Sequence, residues 1–293
     1  MAAPSFDNMN GKIWMDGEFR DWADAKVHVL THAMHYASSV FEGQRAYKGK
    51  IFKLEEHTER LFASAEILGM NVPYTPAQIN DACNELLEIQ GLTDAYCRPV
   101  IWRGSEMMGV SAQKNTIHAA VAIWEWPSYF SPGARLKGLR LEISKWRRPS
   151  PETIPTQAKA AGLYLICTLS KHTAEANGFD DALMMDYRGQ IAEATGANIF
   201  FVKDGELHTP TPDCFLDGIT RRSVIALAKK RGINVIERAI MPEEMADFEQ
   251  AFLTGTAAEV TPLAEIGPYN FTVGEITKSL MLDYDALVRG ELA

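Results

Sequence analysis

The sequence has no apolar run approaching the ~18 residues that cross a bilayer, so no membrane-spanning helix is expected. Its opening stretch, MAAPSFDNMNGKIW, has neither the basic region nor the apolar core of a secretory signal, and a cytoplasmic location is expected. Only four cysteines occur, Cys83, Cys97, Cys167 and Cys214, and no two form a CxxC pair. They read as buried, reduced thiols rather than a disulfide framework. Positive charge is scarce: 29 Lys and Arg stand against 38 Asp and Glu, a net of −9. Such a chain has no overall field to draw nucleic acid or anionic lipid, although a local basic pocket for a small anion stays open. Missing as well are a GxGxxG after a strand, a GxSxG elbow, a Walker motif, internal repeats and low-complexity tracts. The first three absences count against a Rossmann dinucleotide site, a serine hydrolase of the elbow type and a P-loop enzyme.

The composition, 46% apolar and 23% charged over 293 residues, is that of a soluble globular protein. At roughly 150 residues per domain it holds about two. Asp16-Gly17, Lys48-Gly49, Arg188-Gly189 and Asp204-Gly205 each lie between β-rich flanks and predict antiparallel hairpins in both halves. Thr75-Pro76 opens a helix whose apolar face is Ile79, Ala82, Cys83, Leu86 and Leu87, closed by Gly91. Further helices are predicted from about Gly162 to Ala176, and from near Thr220 to Gly232. WPSYFSPGARLK is the linker, dividing the chain into a small α/β domain (1–125), an interdomain loop (126–137) and a large domain (138–293). The class is α+β, with mixed or antiparallel sheets.

Four segments carry chemistry. Lys159 sits in AKAAG with no carboxylate in the next ten positions. Desolvation there would lower its pKa and free a nucleophilic amine for a carbonyl such as that of pyridoxal phosphate; a surface lysine at a helix start is the plainer alternative. Glu193, between alanines after a hairpin strand, is either a turn residue or the acid that keeps a pyridine nitrogen protonated. Gly218, Ile219 and Thr220 at a helix start, and Gly255 and Thr256 in a small-residue turn, suit an anion. His28, His32 and His35 share helical spacing and admit a metal-hydrolase reading, but no acid stands at ligand spacing and no metal is expected.

In order along the chain, HYASSVFEGQRAY, FKLEEHTERLFASA, AYCRPVIWRG, IPTQAKAAGLYL, GQIAEATGANIFFVKDGELHTP, LDGITRRSV and LTGTAAEVTP resemble the blocks of the branched-chain amino acid aminotransferases. These are class IV, fold-type IV pyridoxal-phosphate enzymes, and the resemblance runs from about Trp14 to Ile266. It implies pyridoxal 5'-phosphate as cofactor, with Lys159 as its Schiff-base lysine and proton shuttle. Glu193 is then the partner of the pyridine nitrogen and Tyr164 that of the phenolic oxygen. Arg60, Gly218, Ile219, Thr220, Gly255 and Thr256 become the phosphate set, and Leu216 packs on the ring. Tyr36, Phe41, Trp126 and Tyr129 resemble the aromatic wall around a branched side chain. Tyr96, with the N–H groups of Thr256 and Ala257, resembles the α-carboxylate site, and Arg98 the cation for the second carboxylate of glutamate. The implied reaction is ping-pong amino transfer from L-leucine, L-isoleucine or L-valine to 2-oxoglutarate. A D-amino acid or (R)-amine aminotransferase of the same fold is the alternative. Small amino and 2-oxo acids, and a second copy of the chain in a dimer or dimer-based assembly, are the implied partners. Two departures touch substrate range: Gln44-Arg45 where Ile-Arg is the enterobacterial pattern, and Arg103, Ser105 and Glu106 in a loop that usually reaches the neighbouring subunit's site.

Overall fold

The glycine-ending dipeptides turn hairpins by two different backbone routes. The structure, a computed structural model, describes residues 5–126 and 136–292. It divides into two compact units, Met1–Pro127 with Ala158–Gly162, and Ser128–Gln157 with Leu163–Ala293. In the first unit, β1 (Lys12–Met15) and β2 (Glu18–Asp21) pair antiparallel around Asp16-Gly17. Both turn residues are left-handed, with φ of 51° and 91°, which suits the twist of the flanking strands. The other strands are β3 (Ser39–Phe41), β4 (Gln44–Tyr47), β5 (Lys50–Ile51), β6 (Ala95–Arg103) and β7 (Ile117–Glu125). They complete a seven-stranded sheet of order β2-β1-β7-β6-β4-β5, with β3 also on β6, and every pairing among the described residues is antiparallel.

Helix α1 (His32–Tyr36) is short, whereas α2 (Leu54–Ile67) and α3 (Pro76–Ile89) pack on each other. The start of α3 is a reciprocal cap: Thr75 Oγ1 accepts from Gln78 N at 3.2 Å and Gln78 Oε1 accepts from Thr75 N at 2.9 Å. The apolar face predicted for it is the buried one, Ile79, Ala82, Cys83, Leu86 and Leu87. Cys97 of β6 meets Cys83 at 3.6 Å between sulfurs, so the strand's alternation turns Tyr96 and Arg98 to the opposite face of the sheet.

In the second unit the strands are β8 (Leu139–Ile143), β9 (Asp181–Met185), β10 (Ile191–Ala194), β11 (Asn198–Lys203), β12 (Glu206–Pro210), β13 (Val235–Arg238), β14 (Gln250–Gly255), β15 (Glu259–Ile266) and β16 (Tyr269–Asn270). They form a nine-stranded sheet of order β10-β9-β8-β15-β14-β11-β12-β13, with β16 on β15 and β10 also meeting β11. It is mixed: β8 runs parallel to β9 and β15, and β12 parallel to β13. Leu141, Leu183, Ile199, Phe201, Leu253 and Leu263 form its buried centre. The Arg188-Gly189 turn takes the second route. Gly189 N donates to Asp186 O and Asp186 N to Gln190 O, a three-residue loop whose last residue is left-handed at φ 91°.

The helix expected from Gly162 begins later: a 3-10 turn over Ala161–Tyr164 precedes α4 (Leu165–Ala176). α5 (Ile219–Lys230) and α6 (Glu275–Val288) pack together against the sheet. One difference from the 138–293 boundary matters for function. Residues 158–162 belong with the first unit. The cause is a backbone strap: Phe41 N donates to Lys159 O at 3.2 Å, Lys159 N to Ser64 Oγ at 3.0 Å, and Val40 bridges Ala160.

Candidate active site

That strap fixes the lysine from both sides of its own peptide. Lys159 is half-buried, with its Nζ 5.0 Å from the centre of the Phe41 ring. The same ring lies under Arg98, whose guanidinium carbon is 4.8 Å from it and 5.3 Å from the Tyr96 ring. Arg98 donates to Tyr96 Oη at 3.2 Å, but its Nε is buried with no hydrogen-bond partner among the described residues. An orphaned charged donor costs stability unless a ligand satisfies it, and a carboxylate is the natural complement. Tyr96 packs tilted against Trp126, ring centres 4.8 Å apart, and an apolar cavity of about 390 Å3 opens on the Arg98 face of the sheet, floored by Val100, Trp102, Ala120 and Ala122. Tyr36 is exposed, stacked on His32, and donates to Met108 O at 3.2 Å. Tyr129 lies outside the described residues.

Arg60 is held by a residue that the sequence reading passed over. Its Nε and Nη2 donate to the two oxygens of Glu42 at 2.7 and 2.9 Å, and His57 Nδ1 meets Glu42 Oε2 at 2.7 Å. Glu42 is fully buried. Burial alone would raise its pKa, but the Arg60 charge and the His57 hydrogen bond hold the carboxyl well below the usual range. His57 is pushed down from its ordinary value by burial, against the pull of Glu42. His57, Arg60 and Ser64 recur at helical spacing on α2, which makes one helix face the support for both the arginine and the lysine's peptide.

In the second unit Glu193 of β10 is half-buried, with Oε1 3.4 Å from Arg148 Nε and Oε2 3.4 Å from Asn198 Nδ2. Arg148 itself is buried, and its Nη1 donates to Leu163 O at 3.4 Å. Gly218 is the N-cap of α5 and supplies no side-chain cap, so the helix presents bare N–H groups at its positive end, as an anion site requires. The Thr220 hydroxyl turns inward, 3.4 Å from Tyr284 Oη, which leaves its backbone N–H for that role. Gly255 ends β14, followed by half-buried Thr256 and exposed Ala257. Leu216 is half-buried, its carbonyl tied to Asn198 Nδ2 at 3.0 Å, and Tyr164 stands at the N-cap of α4.

The three histidines do not converge. His28 Nδ1 accepts from Leu30 N, His32 sits between Ser38 Oγ and Gly109 O, and His35 Nε2 lies 3.0 Å from Val29 O. Glu42, Arg148 and Asn198 are the site residues that sequence reasoning missed. Glu42 and Asn198 stand within the family-like segments, in FEG and at the end of EATGAN, but nothing local reveals their partners.

The profile of the amino-transferase class IV family matches residues 39–266. A probable branched-chain-amino-acid aminotransferase of Rickettsia bellii is 45% identical over 282 residues, covering 95% of this chain and 96% of its own. Among solved structures, the T.th. branched-chain amino acid aminotransferase with pyridoxamine 5'-phosphate aligns with a TM-score of 0.94 at 38% identity, covering 97% of this chain and 95% of that one. The same enzyme complexed with N-(5'-phosphopyridoxyl)-L-glutamate gives 0.92 at 38% identity, with the same coverage. The chain belongs to the class IV aminotransferases, pyridoxal-phosphate-dependent transferases of fold type IV. Within them it falls among the branched-chain-amino-acid aminotransferases. Its residues suit that cofactor: an uncapped helix start offers donors to a phosphate, Glu193 is a carboxylate held between an arginine and an amide, and Lys159 has a pinned backbone.

Proposed function

We propose that the chain transfers the α-amino group of L-leucine, L-isoleucine or L-valine to 2-oxoglutarate, reversibly, in a ping-pong cycle. The first oxo acid leaves before the second enters. When bound, pyridoxal phosphate supplies the carbonyl that takes up the amino group and the conjugated ring that accepts electrons released at Cα. In this reading Lys159 holds the cofactor and then moves the proton between Cα and C4′ as general acid and base. Glu193 keeps a proton on the pyridine nitrogen, and Tyr164 donates to the phenolic oxygen. Arg60, the N–H groups of Ile219 and Thr220 and the hydroxyl of Thr256 hold the phosphate, with Gly218 and Gly255 letting the backbone close on it, while Leu216 packs on the ring. Tyr96 and the N–H groups of Thr256 and Ala257 hold the α-carboxylate. Phe41, Tyr36, Trp126 and Tyr129 wall the side chain.

The observation that supports the substrate assignment is Arg98: a guanidinium set against the Phe41 and Tyr96 rings, whose buried Nε has no hydrogen-bond partner among the described residues. One apolar wall with one cation suits both leucine and the second carboxylate of glutamate. The test is a set of half-reactions on the loaded enzyme, following loss of its visible absorption band. L-Leucine, L-isoleucine, L-valine and L-glutamate should each discharge it. If D-alanine or (R)-1-phenylethylamine discharges it faster than L-leucine, the alternative activity of this fold takes over.

A second copy of the chain completes the reading. Val29, Leu30, Met34 and Val110 are 64%, 45%, 62% and 83% exposed. Hydrogen bonds from His32 and Tyr36 to the 108–109 backbone join their two segments into one surface. An apolar area of that kind marks an interface, and a homodimer or dimer-based assembly is its simplest cover. No helix among the described residues is long and apolar enough to cross a membrane. Buried cysteines with no CxxC pair among them support a cytoplasmic home.

A further inference from the structure

We propose that Asn198 is a positioning residue that sets two features at once: the carboxylate of Glu193 and the anion-binding start of α5. This rests on the roles given above to Glu193 and to that helix start. Asn198 is the first residue of β11, paired with Glu193 of β10 on one side and Thr254 of β14 on the other, and it is 5% exposed. Its amide is shared three ways. Oδ1 accepts from Gly218 N at 3.2 Å; Nδ2 donates to Leu216 O at 3.0 Å and to Glu193 Oε2 at 3.4 Å. A primary amide has one acceptor oxygen and two donor hydrogens, so both donors and the oxygen are engaged.

The fit is close. A Cβ on Gly218 would stand 2.2 Å from Asn198 Oδ1, so the helix start comes this near to β11 because its cap is glycine. No isosteric replacement keeps all three bonds, since aspartate lacks the donors and leucine lacks donors and acceptor alike. The arrangement also shapes the charge on Glu193. Arg148 is the cation at Oε1, and the neutral amide at Oε2 orients the carboxylate without adding a second positive charge. A carboxylate held in this way stays available to a protonated pyridine nitrogen, whereas two flanking cations would compete with it. Asn198 therefore couples what happens at the ring nitrogen to what happens at the phosphate.

The experiment uses the full-length protein and two readouts. Stripped of cofactor, it is titrated with pyridoxal phosphate and with pyridoxal, and the ratio of affinities measures the phosphate end. Loaded, its visible band is titrated with pH, which reports the ring end. Glu193→Gln should displace only the band, and Thr256→Val should lower only the ratio. Asn198→Ala should do both, lowering the ratio by about fivefold or more and moving the band in the direction set by Glu193→Gln by about one pH unit. An alanine variant that moves one readout or neither overturns the proposal. Should that variant not fold, Asn198→Asp decides. It keeps an acceptor for Gly218 N but places a second carboxylate beside Glu193, so the band should shift more than the ratio, and an unshifted band overturns the coupling. If Glu193→Gln and Thr256→Val leave both readouts untouched, the fault lies in the site assignment itself.

Discussion

Arg98 sits among aromatic rings, yet its Nε has no acceptor among the described residues. A guanidinium so placed contributes to binding only when an acceptor arrives, and 2-oxoglutarate carries a second carboxylate that branched-chain substrates lack. Losing a charge-assisted hydrogen bond costs about 1.5–3 kcal/mol. Arg98→Ala should therefore lower kcat/KM for 2-oxoglutarate and glutamate by roughly 10- to 100-fold while leucine changes by less than about threefold. Steady-state kinetics on both substrates check this, and equal losses would reassign Arg98 to structure. The buried trio beneath Arg60 makes a different prediction. The His57 pKa lies below its unfolded value of 6.5, chiefly through burial, so the unfolded chain binds a proton that the folded one refuses. Stability is complete above that unfolded value and falls as pH drops below it, by at most about 1.4 kcal/mol per pH unit for one proton. Glu42 adds its own loss further down, once pH falls below the ordinary carboxylate value of 4.5. Urea unfolding at pH 7.5, 6 and 5 should show the decline. His57→Gln should flatten it between pH 6.5 and 5 while leaving the lower-pH limb.

Elements declared themselves in the sequence to the extent that their signals were local. The Asp16-Gly17 turn and the α3 cap each lie within a few residues, and both appear as the turn chemistry and the capping pattern predict. Lys159 and Glu193 could be singled out for a related reason: small neighbours make a charged residue conspicuous. Glu42 and Asn198 could not, because their meaning lies in partners 18 and 20 positions away, brought near only by the fold. The late start of α4 has a physical cause of the same order, since the peptide at 159–160 is spent on the strap to Phe41 and Val40 before a helix can begin. The cap also sets an energy scale. Thr75→Ala removes the acceptor for Gln78 N and should cost about 1 kcal/mol. Thermal unfolding should record a midpoint lower by a few degrees, with kcat and KM unchanged because α3 carries none of the site residues.

For the molecule as a whole, net charge is a poor guide to ligands. In the proposed reading a chain at −9 still devotes Arg60, Arg98 and helix N–H groups to anions, because desolvated local charge outweighs a screened total. The exposed apolar surface of Val29, Leu30, Met34 and Val110 belongs to this scale too. Val29→Glu combined with Met34→Glu should shift the mass in light scattering from dimer toward monomer; an unchanged mass would place the interface elsewhere. The strap at residues 158–162 carries a consequence for biosynthesis. The first unit is not contiguous in the chain: it needs five residues that the ribosome delivers after about thirty belonging to the other unit. A fragment stopping at Pro127 would lack the acceptor for Phe41 N and the donor to Ser64 Oγ. The first unit therefore cannot be finished until the chain has passed through part of the other, and the last piece it receives is the one bearing Lys159.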